Sequence, residues 1–277
     1  MQGYEGKVVV ITGGSEGIGA ALAEEIAARG GRVVVAARTA DKLQAAAAKI
    51  GRGAVAVPTD VTVRAEVERL RDRALAAAGR VDVWVNNAGR GISKPLLSLG
   101  DEDIDAMVRD NVKSALYGMQ AIVPHMQARG DGVIANVSTM LSRVPFAPIR
   151  SAYSACKAAL NSLTETLRAE LREKYPDIRV VTVLPGVVAT DFGNHALGGG
   201  PDSRALPGAQ DVHEVAGVIA DAPPHPQRRR LHPPRHGKDR PRPSRAARQG
   251  LASHRRTRFR GRREEGGREE PTTICGC

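Results

Sequence analysis

Short runs rich in β-branched residues alternate along the chain with longer stretches in which apolar residues recur at helical spacing. The first pattern is typical of strands in a parallel sheet, and the second of amphipathic helices that cover such a sheet. The alternation predicts strands at Lys7–Ile11, Arg32–Ala36, Ala54–Pro58, Asp82–Val85, Gly132–Val137 and Ile178–Leu184. It predicts helices at about Gly17–Arg29, Ala40–Lys49, Arg64–Ala78, Asp103–Arg129 and Ala152–Lys174, with a last helical stretch at Asp211–Asp221.

The stretch from 64 to 78 shows the helical pattern clearly, because Val67, Leu70 and Ala74 fall on one face while the charged residues point elsewhere. Repeated strand–helix units of this kind build a parallel sheet with helices on both faces. We therefore predict one α/β domain over residues 1–221, a Rossmann-like, doubly wound parallel sheet in three layers.

The sequence changes character at Ala222, after which large apolar residues are rare among Arg, Pro, Gly and His. Such a segment buries too little apolar surface to offset the entropy of ordering it. We predict that residues 222–277 form a disordered, low-complexity tail. Two other interpretations stay open: the product of a GC-rich gene read in the wrong frame, and a native basic arm.

The positive charge of the chain is concentrated in this tail. The formal net charge is +11, and residues 222–277 contain 16 of the 41 Lys and Arg residues and 5 of the 30 Asp and Glu residues. Residues 1–221 are therefore neutral overall, and the tail lacks the interleaved aromatic residues typical of RNA binding. We predict that nucleic acid is not a partner.

The three cysteines, Cys156, Cys275 and Cys277, have neither the spacing of a zinc site nor that of a disulfide framework. We predict no metal site and a reducing, cytoplasmic location. No apolar run approaches membrane-spanning length, and no basic segment followed by an apolar one opens the sequence. We expect the protein neither to enter a membrane nor to be secreted.

A glycine-rich loop, residues 12–19, follows the first predicted strand directly. Its glycines allow a tight turn, close approach to a pyrophosphate and close helix packing, while free N–H groups at the helix N-terminus bind the anion. A glycine-rich turn without a ligand is the alternative. Because the first strand–helix connection of a doubly wound sheet is where a dinucleotide binds, we predict cofactor contacts from Thr12, Gly13, Ser15, Gly17, Ile18 and Gly19.

The second predicted strand ends in Ala37 and Arg38, where an acidic residue would accept hydrogen bonds from the ribose 2′-hydroxyl of NAD(H). Ala37 leaves space for a 2′-phosphate, and Arg38 supplies a planar cation that can bind it. The sequence therefore predicts NADP(H) as the preferred cofactor, with NAD(H) as the alternative. Arg38 could instead face solvent.

Tyr153 and Lys157 lie four residues apart in a predicted helix, so their side chains share one face. A phenol has an ordinary pKa of about 10, and a nearby cation lowers that pKa because it favours the phenolate. We predict that Lys157 lowers the pKa of Tyr153 and prepares it for proton exchange. A surface Tyr–Lys pair is the alternative.

Together, these motifs resemble the short-chain dehydrogenase/reductase family over residues 1–221. The resemblance rests on the glycine loop, Asp60-Val61, Asn86-Asn87-Ala88-Gly89, Tyr153-x-x-x-Lys157 and Pro185-Gly186-Val187-Val188-Ala189-Thr190. It implies cofactor contacts from Tyr153, Lys157, Asp60, Val61, Asn87, Ala88, Gly89, Pro185, Gly186, Val188 and Thr190. Glu16 stands where many NADP-preferring relatives carry a basic residue, which weakens the predicted preference.

The resemblance also implies the catalytic roles. Tyr153 exchanges a proton with the substrate oxygen, Lys157 also holds the nicotinamide ribose, and Asn111 supports a water relay to Lys157. Thr139, or alternatively Ser138, orients the substrate oxygen. The implied reaction is NADP(H)-dependent interconversion of a secondary alcohol and a ketone, or of an alcohol and an aldehyde, on a small-molecule substrate.

Three other functions remain open: a different cofactor-dependent outcome such as epimerisation, a nucleotide-binding protein with little catalysis, and a basic-tailed protein associated with nucleic acid. The resemblance implies assembly through the helices at 103–129 and 152–174. Because no seventh strand is predicted after Asp221, we predict a homodimer rather than a tetramer. The segment Thr190–Asp211 is predicted to move as a lid over the substrate.

Overall fold

The fold of the protein is described by a computed structural model for residues 3–221. Within this part of the chain, six parallel strands form one sheet in the order β3-β2-β1-β4-β5-β6. The strands are β1 (Val8–Thr12), β2 (Arg32–Ala37), β3 (Val55–Pro58), β4 (Val83–Asn86), β5 (Gly132–Val137) and β6 (Ile178–Val183). The predicted tail, residues 222–277, lies outside the described residues.

Helices cover both faces of the sheet. They are α1 (Gly17–Ala28), α2 (Ala40–Ile50), α3 (Arg64–Ala78), α4 (Asp101–Val108), α5 (Ser114–Arg129), α6 (Ser151–Arg172) and α7 (Val212–Asp221). The predicted Rossmann-like, doubly wound α/β fold in three layers is confirmed. None of the helices between residues 3 and 221 combines the length and apolar character needed to cross a bilayer.

The core consists of two apolar layers, because successive side chains of a strand point to opposite faces. In β1, Val9 and Ile11 pack in the layer that contains residues of α1, α2 and α7. Val10 packs in the other layer, which contains residues of α3, α5 and α6. A strand that is buried on both faces must be apolar throughout, which explains the unbroken Val-Val-Val-Ile run.

A chain of buried side-chain hydrogen bonds crosses this core between β4, β5 and α6. The indole Nε1 of Trp84 donates to Oδ1 of Asn86, at 2.8 Å, and Nδ2 of Asn86 donates to Oδ1 of Asn136, also at 2.8 Å. Nδ2 of Asn136 donates to Oγ1 of Thr164, at 2.9 Å. These bonds satisfy polar atoms that would otherwise be costly in the core, and they fix β4, β5 and α6 relative to one another.

The predicted helix Asp103–Arg129 differs from the structure in two ways. It begins at Asp101, where the carboxylate of Asp103 accepts a hydrogen bond from the backbone N–H of Gly100. It also contains a π-helical turn, Arg109–Lys113, between α4 and α5. The wider turn holds Asn111 at the buried side of the helix, so the correction concerns a predicted site residue directly.

The sheet order determines where a ligand can bind. The chain passes from β1 outward to β2 and β3 and then crosses back to β4 on the other side of β1. The connections that follow β1 and β4 therefore diverge and leave a crevice at the carboxyl ends of the strands, which is the usual ligand position in such sheets.

Candidate active site

A cleft of about 1330 Å³ occupies this crevice. Its volume exceeds the roughly 300–1,000 Å³ of pockets for small ligands, so it can take a dinucleotide together with a substrate. Eighteen of the predicted site residues line the cleft: Gly13, Ser15, Gly17, Ile18, Arg38, Asp60, Val61, Asn87, Ala88, Gly89, Ser138, Thr139, Tyr153, Lys157, Pro185, Gly186, Val188 and Thr190. Thr12, Gly19 and Asn111 do not line it.

The glycine loop forms one wall of the cleft, because its backbone adopts conformations that favour glycine. Gly13 and Gly17 have φ values of +67° and +57°. A Cβ atom at Gly19 would clash with the carbonyl oxygen of Gly13. Among residues 3–221, no side chain caps the N-terminus of α1, and its first turn contains no acidic residue, so its free N–H groups suit an anion such as a pyrophosphate.

Thr12 and Asn87 join the ends of β1 and β4 beneath this loop. The Thr12 hydroxyl donates to the carbonyl oxygen of Val85, at 3.2 Å, and accepts from the backbone N–H groups of Asn87 and Ala88. Nδ2 of Asn87 donates to the carbonyl oxygens of Thr12 and Gly13, at 3.0 and 3.1 Å. Thr12 is 3% exposed and acts within the fold, so its predicted direct contact with the cofactor is not seen in the cleft lining.

Positive side chains border the cleft beyond β2. Arg38 and Lys42 both line the cleft and are exposed. The carboxylate of Glu16 lies 3.7 Å from Nζ of Lys42 and 3.1 Å from Nδ1 of His195. The charge of Glu16 is therefore partly balanced by these neighbours. The guanidinium of Arg38 has no carboxylate within ion-pair distance among residues 3–221.

Asp60 lies near Arg38 at the same end. Burial would raise the pKa of Asp60, but hydrogen bonds from the side chain and backbone of Thr62, together with the charges of Arg38 and Arg109, lower it below its ordinary value. The Thr62 hydroxyl donates to Oδ1 of Asp60 at 2.7 Å. Asp60 is consequently an ionised hydrogen-bond acceptor at neutral pH.

Tyr153 lies at the base of the opposite end of the cleft, on the first turn of α6. It is 7% exposed, and its phenol interacts with the hydroxyl of Thr139. Burial raises the pKa of Tyr153, and the guanidinium of Arg150 and the Thr139 hydroxyl oppose this rise. The net direction is opposite to the lowering predicted from the sequence, because burial of the phenol cannot be seen in the spacing of Tyr153 and Lys157.

Lys157 stands one turn further along α6. Its Nζ donates to the carbonyl oxygen of Val137, at 2.8 Å, and lies 5.8 Å from the centre of the Tyr153 ring. Burial lowers the pKa of Lys157 to about 8. The ammonium is thus held at the end of β5, next to the phenol, and it can lose its charge near neutral pH.

Ser138 and Thr139 follow β5 but differ in what their hydroxyl groups contact. Ser138 Oγ donates to the carbonyl oxygen of Lys157, at 3.3 Å, and lies 3.4 Å from Oγ of Ser142. Thr139 Oγ1 accepts from the backbone N–H of Leu141, at 3.3 Å, and reaches Tyr153. Ser138 therefore links β5 to α6, whereas the hydroxyl of Thr139 is available to a molecule bound in the cleft.

Asn111 is buried in the π-helical turn behind the cleft. Its Nδ2 donates to the carbonyl oxygens of Arg90 and Met107, at 2.9 and 3.1 Å, and its Oδ1 accepts from the backbone N–H of Arg90. A Cβ atom at Gly89 would lie 2.8 Å from Oδ1 of Asn111 and 3.3 Å from Nζ of Lys157. Asn111 thus fixes the backbone at Gly89 and Arg90, and Gly89 lies between Asn111 and Lys157.

The segment after β6 completes the rim of the cleft. The Thr190 hydroxyl lies 3.4 Å both from the carbonyl oxygen of Val188 and from the backbone N–H of Phe192. The backbone N–H of Gln210 donates to the carbonyl oxygen of Val187, at 2.8 Å, which closes the segment back onto its start. The predicted lid between 190 and 211 is therefore attached at its base.

Among the cleft residues that the sequence analysis did not assign to the site, two lie beside Tyr153. Arg150 lies three positions before Tyr153, and the ring of Phe192 lies 5.5 Å from the Tyr153 ring, centre to centre. A charged residue directly after the apolar stretch 144–149 was the available signal for Arg150. Phe192 gave no signal, because its contact depends on how the segment after β6 folds back.

Comparison with known proteins gives consistent matches. A family model described as short chain dehydrogenase matches residues 7–197. An uncharacterized oxidoreductase of Staphylococcus saprophyticus is 35% identical over 196 residues, which cover 70% of this chain and 79% of that protein.

Solved structures agree. A short-chain dehydrogenase/reductase from Burkholderia phymatum in complex with NAD aligns with a TM-score of 0.74 and 27% identity, over 80% of this chain and 87% of that one. A short-chain dehydrogenase from Sphingobium yanoikuyae in complex with NADPH aligns with a TM-score of 0.69 and 30% identity, over 77% of this chain and 83% of that one.

Proposed function

Because the chain belongs to the short-chain dehydrogenase family, whose model matches most of residues 3–221, we propose that it is an oxidoreductase that reduces a carbonyl compound to an alcohol with NADPH. The substrate is a ketone, giving a secondary alcohol, or an aldehyde. The observation that carries this proposal is the juxtaposition of Tyr153, Thr139 and Lys157 at one end of a cleft whose other wall is the glycine loop.

The cleft fits a nicotinamide dinucleotide. The uncapped N-terminus of α1 and the glycine backbone of residues 13–19 suit the pyrophosphate, and Asp60 suits an adenosine hydrogen-bond donor. Tyr153 and Lys157 would hold the nicotinamide ribose, and Pro185 to Thr190 would flank the ring. Solved relatives in complex with NAD and with NADPH support a cofactor of this class.

NADPH is preferred over NADH on electrostatic grounds. Arg38 and Lys42 border the end of the cleft beyond β2, and Ala37 leaves room there. A 2′-phosphate accepts charge-assisted hydrogen bonds from a guanidinium, whereas a ribose hydroxyl gains little from one. The pairing of Glu16 with Lys42 and His195 reduces the repulsion that this carboxylate would otherwise exert on the phosphate.

The bound cofactor supplies the hydride, and the protein orients the oxygen atom of the substrate and supplies its proton. Thr139 donates a hydrogen bond to the carbonyl oxygen and orients it towards Tyr153. Tyr153 then donates its proton to that oxygen as negative charge develops there. Since burial keeps the phenol protonated at neutral pH, Tyr153 is poised as an acid, which favours reduction. Lys157 lies beside the phenol and stabilises the phenolate that remains.

The proposal is tested with Tyr153→Phe and a matched control, Tyr175→Phe, which removes a phenol hydroxyl outside the cleft lining. NADPH binding is measured by fluorescence titration, and turnover is measured with a panel of ketones and aldehydes. We expect Tyr153→Phe to bind NADPH within a few-fold of the unmodified protein and to lose turnover, while Tyr175→Phe retains both. Turnover that survives in Tyr153→Phe would contradict the proposed mechanism.

A further inference from the structure

Beside the phenol of Tyr153, the cleft contains a guanidinium that has no carboxylate partner among residues 3–221. Arg150 is half-buried, and its Nη1 donates to the carbonyl oxygen of Ile92, at 3.1 Å. This bond uses one of its five N–H donors and neutralises none of its charge. Arginine stays protonated in proteins, so the positive charge persists although burial lowers the pKa of Arg150.

The carboxylates that line the cleft do not compensate Arg150, because each already has another partner. Asp191 pairs with Arg204, and Asp110 pairs with Arg109. Glu16 and Asp60 lie at the other end of the cleft with the partners described above. A cation removed from water without a counter-ion costs free energy, so the site gains from any anion that the cleft admits.

Two glycines allow this guanidinium to lie close to the backbone. A Cβ atom at Gly91 would lie 2.8 Å from Nη1 of Arg150 and 3.0 Å from Cε1 of Phe192, and one at Gly200 would lie 3.0 Å from Nη2 of Arg150. Phe192 in turn packs against the Tyr153 ring. The proton donor, an aromatic ring and the unpaired cation therefore meet in one corner of the cleft.

Apolar side chains also line this cleft, and they include Met140, Phe146 and Ile149, which are 47%, 61% and 41% exposed. Such a surface favours the hydrocarbon part of a substrate, whereas the guanidinium favours a planar anion that can take two parallel hydrogen bonds.

We propose that Arg150 binds a carboxylate of the substrate, so that the preferred substrate is an apolar oxo acid, reduced to the hydroxy acid, rather than a neutral ketone. The inference rests on the proposed function, because Tyr153 determines where the reacting carbonyl oxygen lies. Arg150 acts here as a specificity-determining residue: it binds the substrate at a point away from the reacting atoms.

The test compares oxo acids of increasing chain length with their methyl esters, which keep the carbonyl group and remove the charge. Both series are assayed with NADPH for the unmodified protein, Arg150→Met and Arg150→Lys. The control is Arg143→Met, which removes the same charge from an exposed residue outside the cleft lining. The readout is the ratio of kcat/KM for each acid to that for its ester, because a structural effect or a change in the pKa of Tyr153 alters both substrates alike.

We expect the unmodified protein and Arg143→Met to prefer acids by about tenfold to a hundredfold, as a charge-assisted hydrogen bond allows. Arg150→Met should abolish this preference, mainly through KM of the acids, and Arg150→Lys should keep part of it. If Arg150→Met does not fold, Gly91→Ala, which crowds Nη1, gives a second variant, and it should lower the same ratio.

Equal use of acids and esters by the unmodified protein would overturn the inference and leave the proposed function intact. An acid preference that is unchanged in Arg150→Met would do the same. Failure of both series to turn over with NADPH or NADH would overturn the proposed function and the inference together.

Discussion

Nζ of Lys157 donates a hydrogen bond to the carbonyl oxygen of Val137 from a side chain that is 3% exposed. The charge of this residue is therefore held in the interior, at the junction of β5 and α6. Burial lowers the pKa of Lys157 to about 8, whereas an unfolded chain has an ordinary lysine pKa of about 10.4.

This difference predicts how the stability depends on pH. Between pH 8 and pH 10 the unfolded chain binds more protons than the folded one, so the free energy of unfolding rises with pH through this group. The contribution between pH 7 and pH 9.5 is about 2 kcal/mol. Urea titrations of the unmodified protein and of Lys157→Met over this range should differ by a term that grows with pH in favour of the unmodified protein. A difference that is independent of pH would contradict the lowered pKa.

A second prediction separates Thr139 from Ser138. Thr139→Val keeps the shape of the side chain but removes the hydroxyl that reaches Tyr153, so kcat should fall about a hundredfold. Thr139→Ser should retain most of the activity. Ser138→Ala removes bonds to Lys157 and Ser142, so it should lower the free energy of unfolding by about 1 kcal/mol and change kcat only a few-fold. Equal losses of kcat in Ser138→Ala and Thr139→Val would reverse the two assignments.

A third prediction concerns the glycine loop. Gly19→Ala places a methyl group against the carbonyl oxygen of Gly13, so the loop must shift and the affinity for NADPH should fall more than tenfold. Gly217→Ala is the matched control, since a Cβ atom there meets nothing within 4 Å and α7 should gain up to about 1 kcal/mol from the better helix former. Both effects are measured by cofactor titration and thermal unfolding. NADPH binding that is unaffected in Gly19→Ala would place the cofactor elsewhere.

The fourth prediction tests the choice of cofactor. Arg38→Asp replaces the cation beyond β2 with an acid, so Kd for NADPH should rise more than tenfold while Kd for NADH stays within a few-fold or falls. Arg52→Asp makes the same charge change at an exposed position outside the cleft lining and should affect neither cofactor. Equal losses for the two cofactors in Arg38→Asp would remove the basis for an NADPH preference.

Most of the fold could be predicted from the sequence, because its determinants are local. The apolar runs of β1 and β2 and the periodic pattern of α3 determine both the type and the order of the elements, and strand ends differ from the prediction by about one residue. The interrupted helix around Asn111 could not be predicted in the same way. Its π-helical turn accompanies contacts between the side chain of Asn111 and the distant backbone of Arg90, which local periodicity does not contain.

The site shows the same division. Motif spacing was sufficient to predict that the glycine loop, Tyr153 and Lys157 belong to one site, and all three line the same cleft. It gave the wrong direction for the pKa of Tyr153, because the direction depends on burial. It also left Arg150 unassigned, since nothing in the local sequence shows that this guanidinium lacks a carboxylate partner within the described part of the chain.

The buried bonds that run from Trp84 through Asn86 and Asn136 to Thr164 have a consequence for how this sequence can diverge. An apolar replacement of one of these residues leaves the amide or hydroxyl of its neighbour buried without a hydrogen-bond partner. This costs about 1–3 kcal/mol, a large share of the stability of a typical domain. We therefore expect a substitution at one of these positions to be tolerated better when its hydrogen-bond partner changes with it. The same bonds couple the strand that precedes the Asn87 turn, the strand that precedes Thr139 and the helix that carries Tyr153.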